Sequence, residues 1–327
     1  MSSLQDEREK KAISFLLRKI EPIFVEENVT NIWVSKGKVS YKKFGGKRTL
    51  TDIELSYQEC LAIITDLANY NKIQLDINKY PVLETTIPMW DARITAYLKW
   101  CKFPYITIRK RLNKIFRLDT YIEKGQLTIE RAELIRKYIK LKKNIIIGGG
   151  TNSGKSTLAT AILAEIVEEF KNDNETIFII EDNPELQCEA EFAEFFTITS
   201  EQAFEVVKAC MRGSPNRIIF GETRDGKTLW ALLDAMKTGH EGSLTTLHCD
   251  SAEGAFTRMR TLLQQSFPKL NINLTEYVDL IIHIRESENK SLGVEIDSVI
   301  ETKDYTDYQF ESIAMDAIEQ EGELYEN

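Results

Sequence analysis

Apolar positions recur along this chain with two different rhythms, and the change from one to the other divides it in two. Residues 8–20 carry apolar side chains at helical spacing, and residues 56–70 do so again. Between them, residues 30–35 and 38–41 alternate like the arms of a hairpin around Lys36-Gly37. Residues 93–98 and 105–109 alternate as strands do, and Pro81, Pro88 and Pro104 punctuate the connections, which argues against long helices there. This first part reads as an α+β domain over residues 1–118, joined by a linker over 119–127 to a second domain.

From Thr128 helical and strand-like stretches take turns, the mark of a parallel sheet covered on both faces. The strand-like runs are 144–147, 176–180, 217–220, 243–247 and 280–284, short and mostly Ile-rich, as suits strands buried on both sides. Leu158, Ala159, Ile162, Leu163, Ile166, Val167 and Phe170 repeat at helical spacing and predict an amphipathic helix over 155–170. The predicted second domain covers 128–303, and residues 304–327, with eight acidic residues and no Lys or Arg, read as a solvated tail.

Composition narrows the class. Apolar residues are 43% and charged residues 28% of 327, the balance of a folded globular chain and not of a disordered one. No apolar stretch approaches the ~18 residues of a spanning helix, and the polar start MSSLQDEREKK has no signal-peptide core, so a cytoplasmic protein, at most peripheral on a membrane, is expected. The net charge is -9, yet basic residues gather at Arg109, Lys110, Arg111, Lys114 and Arg117, and again at Arg136, Lys137, Lys140, Lys142 and Lys143. Wet helix faces are the simpler reading of these runs, a nucleic-acid or lipid patch the other; aromatic residues do not interleave them, which disfavours stacking on single strands. Five widely spaced cysteines without a Cys-x-x-Cys pair indicate neither a disulfide framework nor zinc.

The chemistry centres on Gly149-Gly150-Thr151-Asn152-Ser153-Gly154-Lys155-Ser156, followed by Thr157, which fits G-x-x-x-x-G-K-[ST] between a buried strand and a helix. Glycines let successive N–H groups turn onto phosphates, and the helix start adds free donors and a favourable dipole. Lys155 is suited to neutralise the β- and γ-phosphates of ATP, and Ser156 to hold Mg²⁺. Hydrolysis also needs a group that orients or deprotonates water; Glu222, ending the strand Arg217-Ile218-Ile219-Phe220-Gly221, is so placed. Gly221 stands where many P-loop enzymes carry a Mg²⁺-binding Asp, which leaves Glu181, Asp182 and Glu185 for metal support. The run Asp182-Asn183-Pro184-Glu185 also reads as a helix start with Asp182 as N-cap, and the two readings are compatible. His240 and His248 bracket the strand 243–247; either contacts the γ-phosphate or water, or is a hydrogen-bonded structural residue, as His283 is expected to be.

Four motifs in order resemble those of the type II and type IV secretion traffic ATPases, above all the conjugal-transfer and type IV secretion branch. IIIGGGTNSGKSTL is similar to the phosphate loop, IIEDNPELQ to the acidic box, NRIIFGETRD to the Walker B segment and TGHEGSLTTLH to the histidine box, while PVLETTIPMWDARITAYL and YITIRKR resemble the end of the family's N-terminal domain. The resemblance implies an α/β fold, a RecA-like P-loop NTPase domain with a smaller N-terminal α+β domain. It implies catalytic roles for Glu185 and Glu222, a γ-phosphate contact for His248 with His240 nearby, and Arg93 and Arg109 reaching the nucleotide across a domain or subunit boundary, although an ordinary surface ion pair is the alternative for each arginine.

It implies, further, a hexameric ring that couples ATP turnover to domain motion, docked on inner-membrane components of a secretion or conjugation machine. A nucleotide-gated assembly scaffold and a DNA translocase are the alternative functions. The sequence departs from the branch at Asn183-Pro184, at Asn216 and at Asn31, and it has no four-cysteine zinc module, which argues against the pilus-extension branch.

Overall fold

The computed structural model describes residues 2–43, 46–76, 78–87, 90, 92–110, 115–289 and 291–304. The acidic tail beyond residue 304, together with Arg111 and Lys114 of the first basic run, lies outside them. The chain forms two compact units, Met1–Lys114 and Ile115–Asn327. Among the described residues no helix is long and apolar enough to cross a membrane.

The first unit contains helices α1 (Ser2–Leu17), α2 (Glu21–Phe24) and α3 (Tyr57–Tyr70) and strands β1 (Val29–Ser35), β2 (Lys38–Lys43), β3 (Arg48–Glu54), β4 (Val82–Ile87), β5 (Ala92–Tyr97) and β6 (Tyr105–Lys110). The strands make one sheet in the order β3-β2-β1-β6-β5-β4, antiparallel at every pairing. Alternation sets its faces: Ile32, Val34, Ile94, Ala96, Ile106 and Ile108 point into a core with Ile13 and Leu17 of α1 and Ile63, Ile64 and Leu67 of α3. Each Val, Ile or Leu among them contributes about 1.5–3 kcal/mol by leaving water. A capping box starts α3: Ser56 Oγ accepts from Glu59 N at 3.2 Å, and Glu59 Oε2 accepts from Ser56 N at 2.8 Å. Lys19 and this backbone bond hold the Glu59 carboxyl down at about 2. Arg109 and Lys110 of the first basic run lie on β6, a strand and not a helix face.

The second unit runs α4 (Leu118–Glu123), α5 (Ile129–Lys140), β7 (Ile145–Gly148), α6 (Lys155–Glu169), β8 (Ile177–Glu181), β9 (Ala193–Thr197), α7 (Ala203–Met211), β10 (Arg217–Thr223), α8 (Gly226–Lys237), β11 (Leu244–Leu247), α9 (Ala252–Ser266), β12 (Leu280–Glu286) and β13 (Val294–Glu301). Its seven strands are ordered β13-β12-β7-β11-β10-β8-β9, parallel except for the β12–β13 hairpin. Residues 119–127, read as a linker, hold α4, which packs on α5 and α6. Ile146, Ile180, Ile218, Phe220 and Ile281 face α7, α8 and α9 in one core, and α6 lies against β7 and β11.

The parallel strands all end on one edge of this sheet, so the loops after β7, β8, β10 and β11 gather there. The opposite edge is held by buried polar contacts. Arg217 Nε donates to Glu175 Oε2 at 2.6 Å with both side chains almost fully buried, Lys142 Nζ stands 2.6 Å from Glu175 Oε1, and Asn144 Oδ1 accepts from Gly242 N and Ser243 N.

Candidate functional site

The loop after β7 enters α6 through Gly154, whose φ of 98° lies in the left-handed region that glycine adopts without a Cβ penalty. Lys155, the first residue of α6, is buried, and its ammonium group turns back over the loop. Nζ donates to the carbonyls of Gly149 at 3.0 Å and Gly150 at 2.7 Å and lies 3.2 Å from His248 Nδ1. Ser156 and Thr157 follow in the first turn of α6, and Thr151 and Asn152 are exposed at the loop crest. Ser153 Oγ is buried beneath it without a hydrogen-bond partner.

His248 directly follows β11, whose Leu247 pairs in register with Gly148, and so it is delivered beside the loop. An ammonium group can only donate, so Nδ1 facing Lys155 is the acceptor and Nε2 carries the proton. Nε2 lies 2.6 Å from Glu222 Oε1, at ion-pair distance but off the direction of a hydrogen bond, and that oxygen has no other partner. Burial, and next the Lys155 charge, push the imidazole below its ordinary range, outweighing the pull of Glu222. The ring is therefore neutral at pH 7.

Glu222 stands at the end of β10, where the register with β11 shifts between Phe220 and Thr223. Thr246 Oγ1 donating to the Gly221 carbonyl at 2.7 Å, and Thr223 Oγ1 2.9 Å from Thr245 Oγ1, fix this end of the strand. Gly221 permits close approach of the neighbouring strand: a Cβ there would sit 2.9 Å from Glu181 Cγ. Arg224, to which the motifs alone assign no role, donates from Nη2 to Glu222 Oε2 at 2.7 Å and from Nη1 to Asp182 Oδ2. Asp225 caps α8, accepting from Lys227 N at 3.0 Å and Thr228 N at 2.9 Å. Both residues carry a signal in the sequence: Glu222 and Arg224 are two apart on an extended chain and share a side, and Asp225 precedes an apolar helical pattern.

The acidic segment after β8 corrects one expectation. No helix begins at Asp182. The buried Glu181 carboxylate takes the backbone donors instead, Oε1 accepting from Glu185 N at 2.9 Å and Leu186 N at 3.0 Å, while Asp182 is drawn to Arg224. Gln187 N donates to Thr160 Oγ1 at 3.3 Å, which lays this segment along α6 one turn past Ser156 and brings Glu185 to the same edge.

His240 is not brought to the loop. It precedes β11, on the sheet edge opposite to the carboxyl ends, buried with Nδ1 2.7 Å from the Pro215 carbonyl beside a cavity of about 600 Å³ that Lys142, Asn216 and Glu241 help to line. The expectation that it lies near the γ-phosphate is corrected by chain direction alone. Asn216, where an Asp is common, accepts from Thr176 N at 2.8 Å. His283 is structural, as expected, with Nδ1 2.7 Å from Asp297 Oδ1. Arg93 and Arg109 belong to the first unit, directly opposite one another on β5 and β6; Arg93 Nη2 lies 3.7 Å from Glu84.

With a glycine-rich loop, a buried lysine and a strand-end glutamate assembled, comparison with known proteins identifies the group. The sequence profile of the type II/IV secretion system proteins matches residues 44–312. The chain belongs to the type II/IV secretion system protein family. Among its relatives, the conjugal transfer protein TrbB of Rhizobium radiobacter is 35% identical over 247 residues, 75% of either chain. The type IV secretion system protein VirB11 of Bartonella henselae is 27% identical over 90% of this chain and 95% of its own. Of solved structures, the Legionella pneumophila ATPase DotB aligns over 83% of this chain and 75% of its own, with a TM-score of 0.60 at 22% identity, a likeness of fold. The second unit of this family member is accordingly a RecA-like domain.

Proposed function

We propose that the protein is the ATP-hydrolysing motor of a type IV secretion or conjugal-transfer apparatus. One observation carries the reading: Lys155, His248 and Glu222 converge at the mouth of the phosphate loop, with 3.2 Å and 2.6 Å between successive polar atoms. Lys155 trades its two loop carbonyls for phosphate oxygens when ATP binds, so the ammonium exchanges neutral acceptors for anionic ones. His248, released on its Nδ1 side, stands between the γ-phosphate and Glu222; two anions favour the doubly protonated ring, whose Nδ1–H donates to the phosphate while Nε2–H faces the carboxylate and so reports the phosphate to it. Glu222 orients and deprotonates the attacking water, its Oε1 free of any other donor. Glu185 supports it from the neighbouring loop.

The hydroxyl of Ser156 and the carboxylate of Asp182 are hard oxygen donors at one sheet edge and fit Mg²⁺, with Glu181 ordering the loop behind them and not itself free on Oε1. Bound there, Mg²⁺ supplies charge neutralisation of the phosphate oxygens. Arg93 and Arg109 serve as transition-state cations, from the same chain or a neighbouring copy. What supports this is their position directly opposite one another on neighbouring strands, where one anion can meet both. In the assembled machine the chain forms a ring, a hexamer, at the cytoplasmic face of inner-membrane components.

The test is Lys155→Ala in the full chain. Equilibrium binding of Mg·ATP and turnover should both collapse, with the melting temperature of the nucleotide-free protein kept near that of wild type. Undiminished binding by this variant would remove the reading.

A further inference from the structure

The seven-stranded sheet of the second unit ends differently on its two sides. At β13 the edge is covered: Ile296 N donates to the Gln126 carbonyl at 2.8 Å, and Arg131 Nη1 donates to the Ile296 carbonyl at 2.8 Å. At β9 it is open. Ile177 N donates to the Phe192 carbonyl at 3.0 Å and Ile198 N to the Glu181 carbonyl at 2.9 Å, so the even-numbered residues here turn their backbone groups toward β8. By alternation Ala193, Phe195 and Thr197 turn theirs outward. The Ala190 carbonyl takes up the Ala193 N–H at 3.3 Å, whereas the backbone groups of Phe195 and Thr197 meet no partner on that side among the described residues.

The side chains of β9 alternate as well. Phe195, paired with Ile179, is 51% exposed on one face. Glu194 is exposed on the other, the face on which Phe196 packs against Phe178 at 5.0 Å between ring centroids. Phe192, just before the strand, is 46% exposed. Glu189, Glu191 and Glu194 are all exposed, and none is in an ion pair among the described residues.

An open edge is a template for another strand, and charges on it decide which strand is admitted. Three unpaired carboxylates repel a second β9, and they attract a strand that carries cations. Such a strand meets Phe195 on one face and Glu194 on the other. Its own side chains therefore have to alternate, apolar over the phenylalanine and basic over the glutamate.

We propose that the edge of β9 docks an extended segment of a partner protein, in which apolar residues alternate with Lys or Arg, and which adds a further strand to the sheet. The docking requires no nucleotide and stands apart from the ATPase reading.

The probe is a fluorescein-labelled peptide of alternating lysine and valine, titrated with the full, nucleotide-free chain and read by anisotropy. Two controls carry the same charge: the fully N-methylated peptide, which has no backbone donors, and a peptide with its lysines and valines in separate blocks. The alternating peptide should bind, and both controls should bind at least about tenfold more weakly. Phe195→Ser should weaken binding by about tenfold, and Glu194→Lys by about fivefold. Thr197→Pro removes one outward N–H while leaving the ladder to β8, since proline is tolerated where an edge strand faces solvent, and should weaken binding by at least about fivefold. Unchanged melting temperatures confirm that the three variants fold. Equal binding of either control, no binding of the alternating peptide, or binding indifferent to all three substitutions overturns the proposal. A fall in the sedimentation mass of the peptide-free chain on Thr197→Pro overturns it in favour of a second copy at this edge.

Discussion

Arg224 ties Glu222 to Asp182: its Nη2 donates to Glu222 Oε2 at 2.7 Å, and its Nη1 to Asp182 Oδ2. One guanidinium thus spans the segment after β10 and the segment after β8. It leaves Glu222 Oε1 turned toward His248. A bidentate cation of this kind fixes orientation as well as charge.

Removing it should misplace Glu222, the proposed water-orienting carboxylate, without touching the glycine-rich loop. Arg224→Ala is expected to lower kcat by up to about a hundredfold, the order of loss for a misplacement near 1 Å, with KM for ATP changed little. Arg224→Lys should recover part of the rate by restoring charge without the fork. Steady-state kinetics on both variants checks this; a KM effect with kcat unchanged would place Arg224 in binding instead.

The lowered His248 pKa makes stability depend on pH with a definite sign. An unfolded histidine takes up its proton near pH 6.5, whereas the folded ring, buried beside Lys155, does so only at lower pH. Between those two values the unfolded chain binds more protons, so this group's contribution to stability is intact above pH 6.5 and declines on acidification. Urea titrations across this range should show a shallower acid slope for His248→Gln than for wild type. An identical slope contradicts the assignment.

At the other edge of the second unit's sheet, burial pushes the Glu175 carboxyl up, but Arg217 and Lys142 together hold it below its usual range. Arg217→Ala leaves a carboxylate that is 4% exposed with Lys142 still beside it and should cost about 3 kcal/mol, the lower end for a broken buried pair. Arg217→Met with Glu175→Leu should cost much less, because no charge is left buried. Denaturant unfolding of the two variants separates pair loss from packing loss; equal costs would show that the charge does not matter.

The Ile-rich runs gave away β7, β8, β10, β11 and β12 because strands buried on both faces have no polar phase to blur them. β9 escaped notice for the opposite reason: Ala193–Thr197 is an edge strand with Glu194 and Phe195 exposed, and its pattern follows no core. The glycine-rich turn from β7 into α6 was legible because its spacing encodes its own geometry. The helix expected at Asp182 was not formed because a buried neighbour, Glu181, captured the same backbone donors, a competition that depends on burial and not on residue type. His240 was misplaced although the direction of β11 already put it at the far edge.

The central claim is that Glu222 performs chemistry at a nucleotide held by Lys155. Binding of Mg·ATP to Glu222→Gln, measured alongside its single-turnover hydrolysis, tests this most directly. Affinity within a few-fold of wild type with hydrolysis slowed by about 10²–10⁴-fold is the predicted result for loss of a general base. Hydrolysis at the wild-type rate with ATP bound would contradict it.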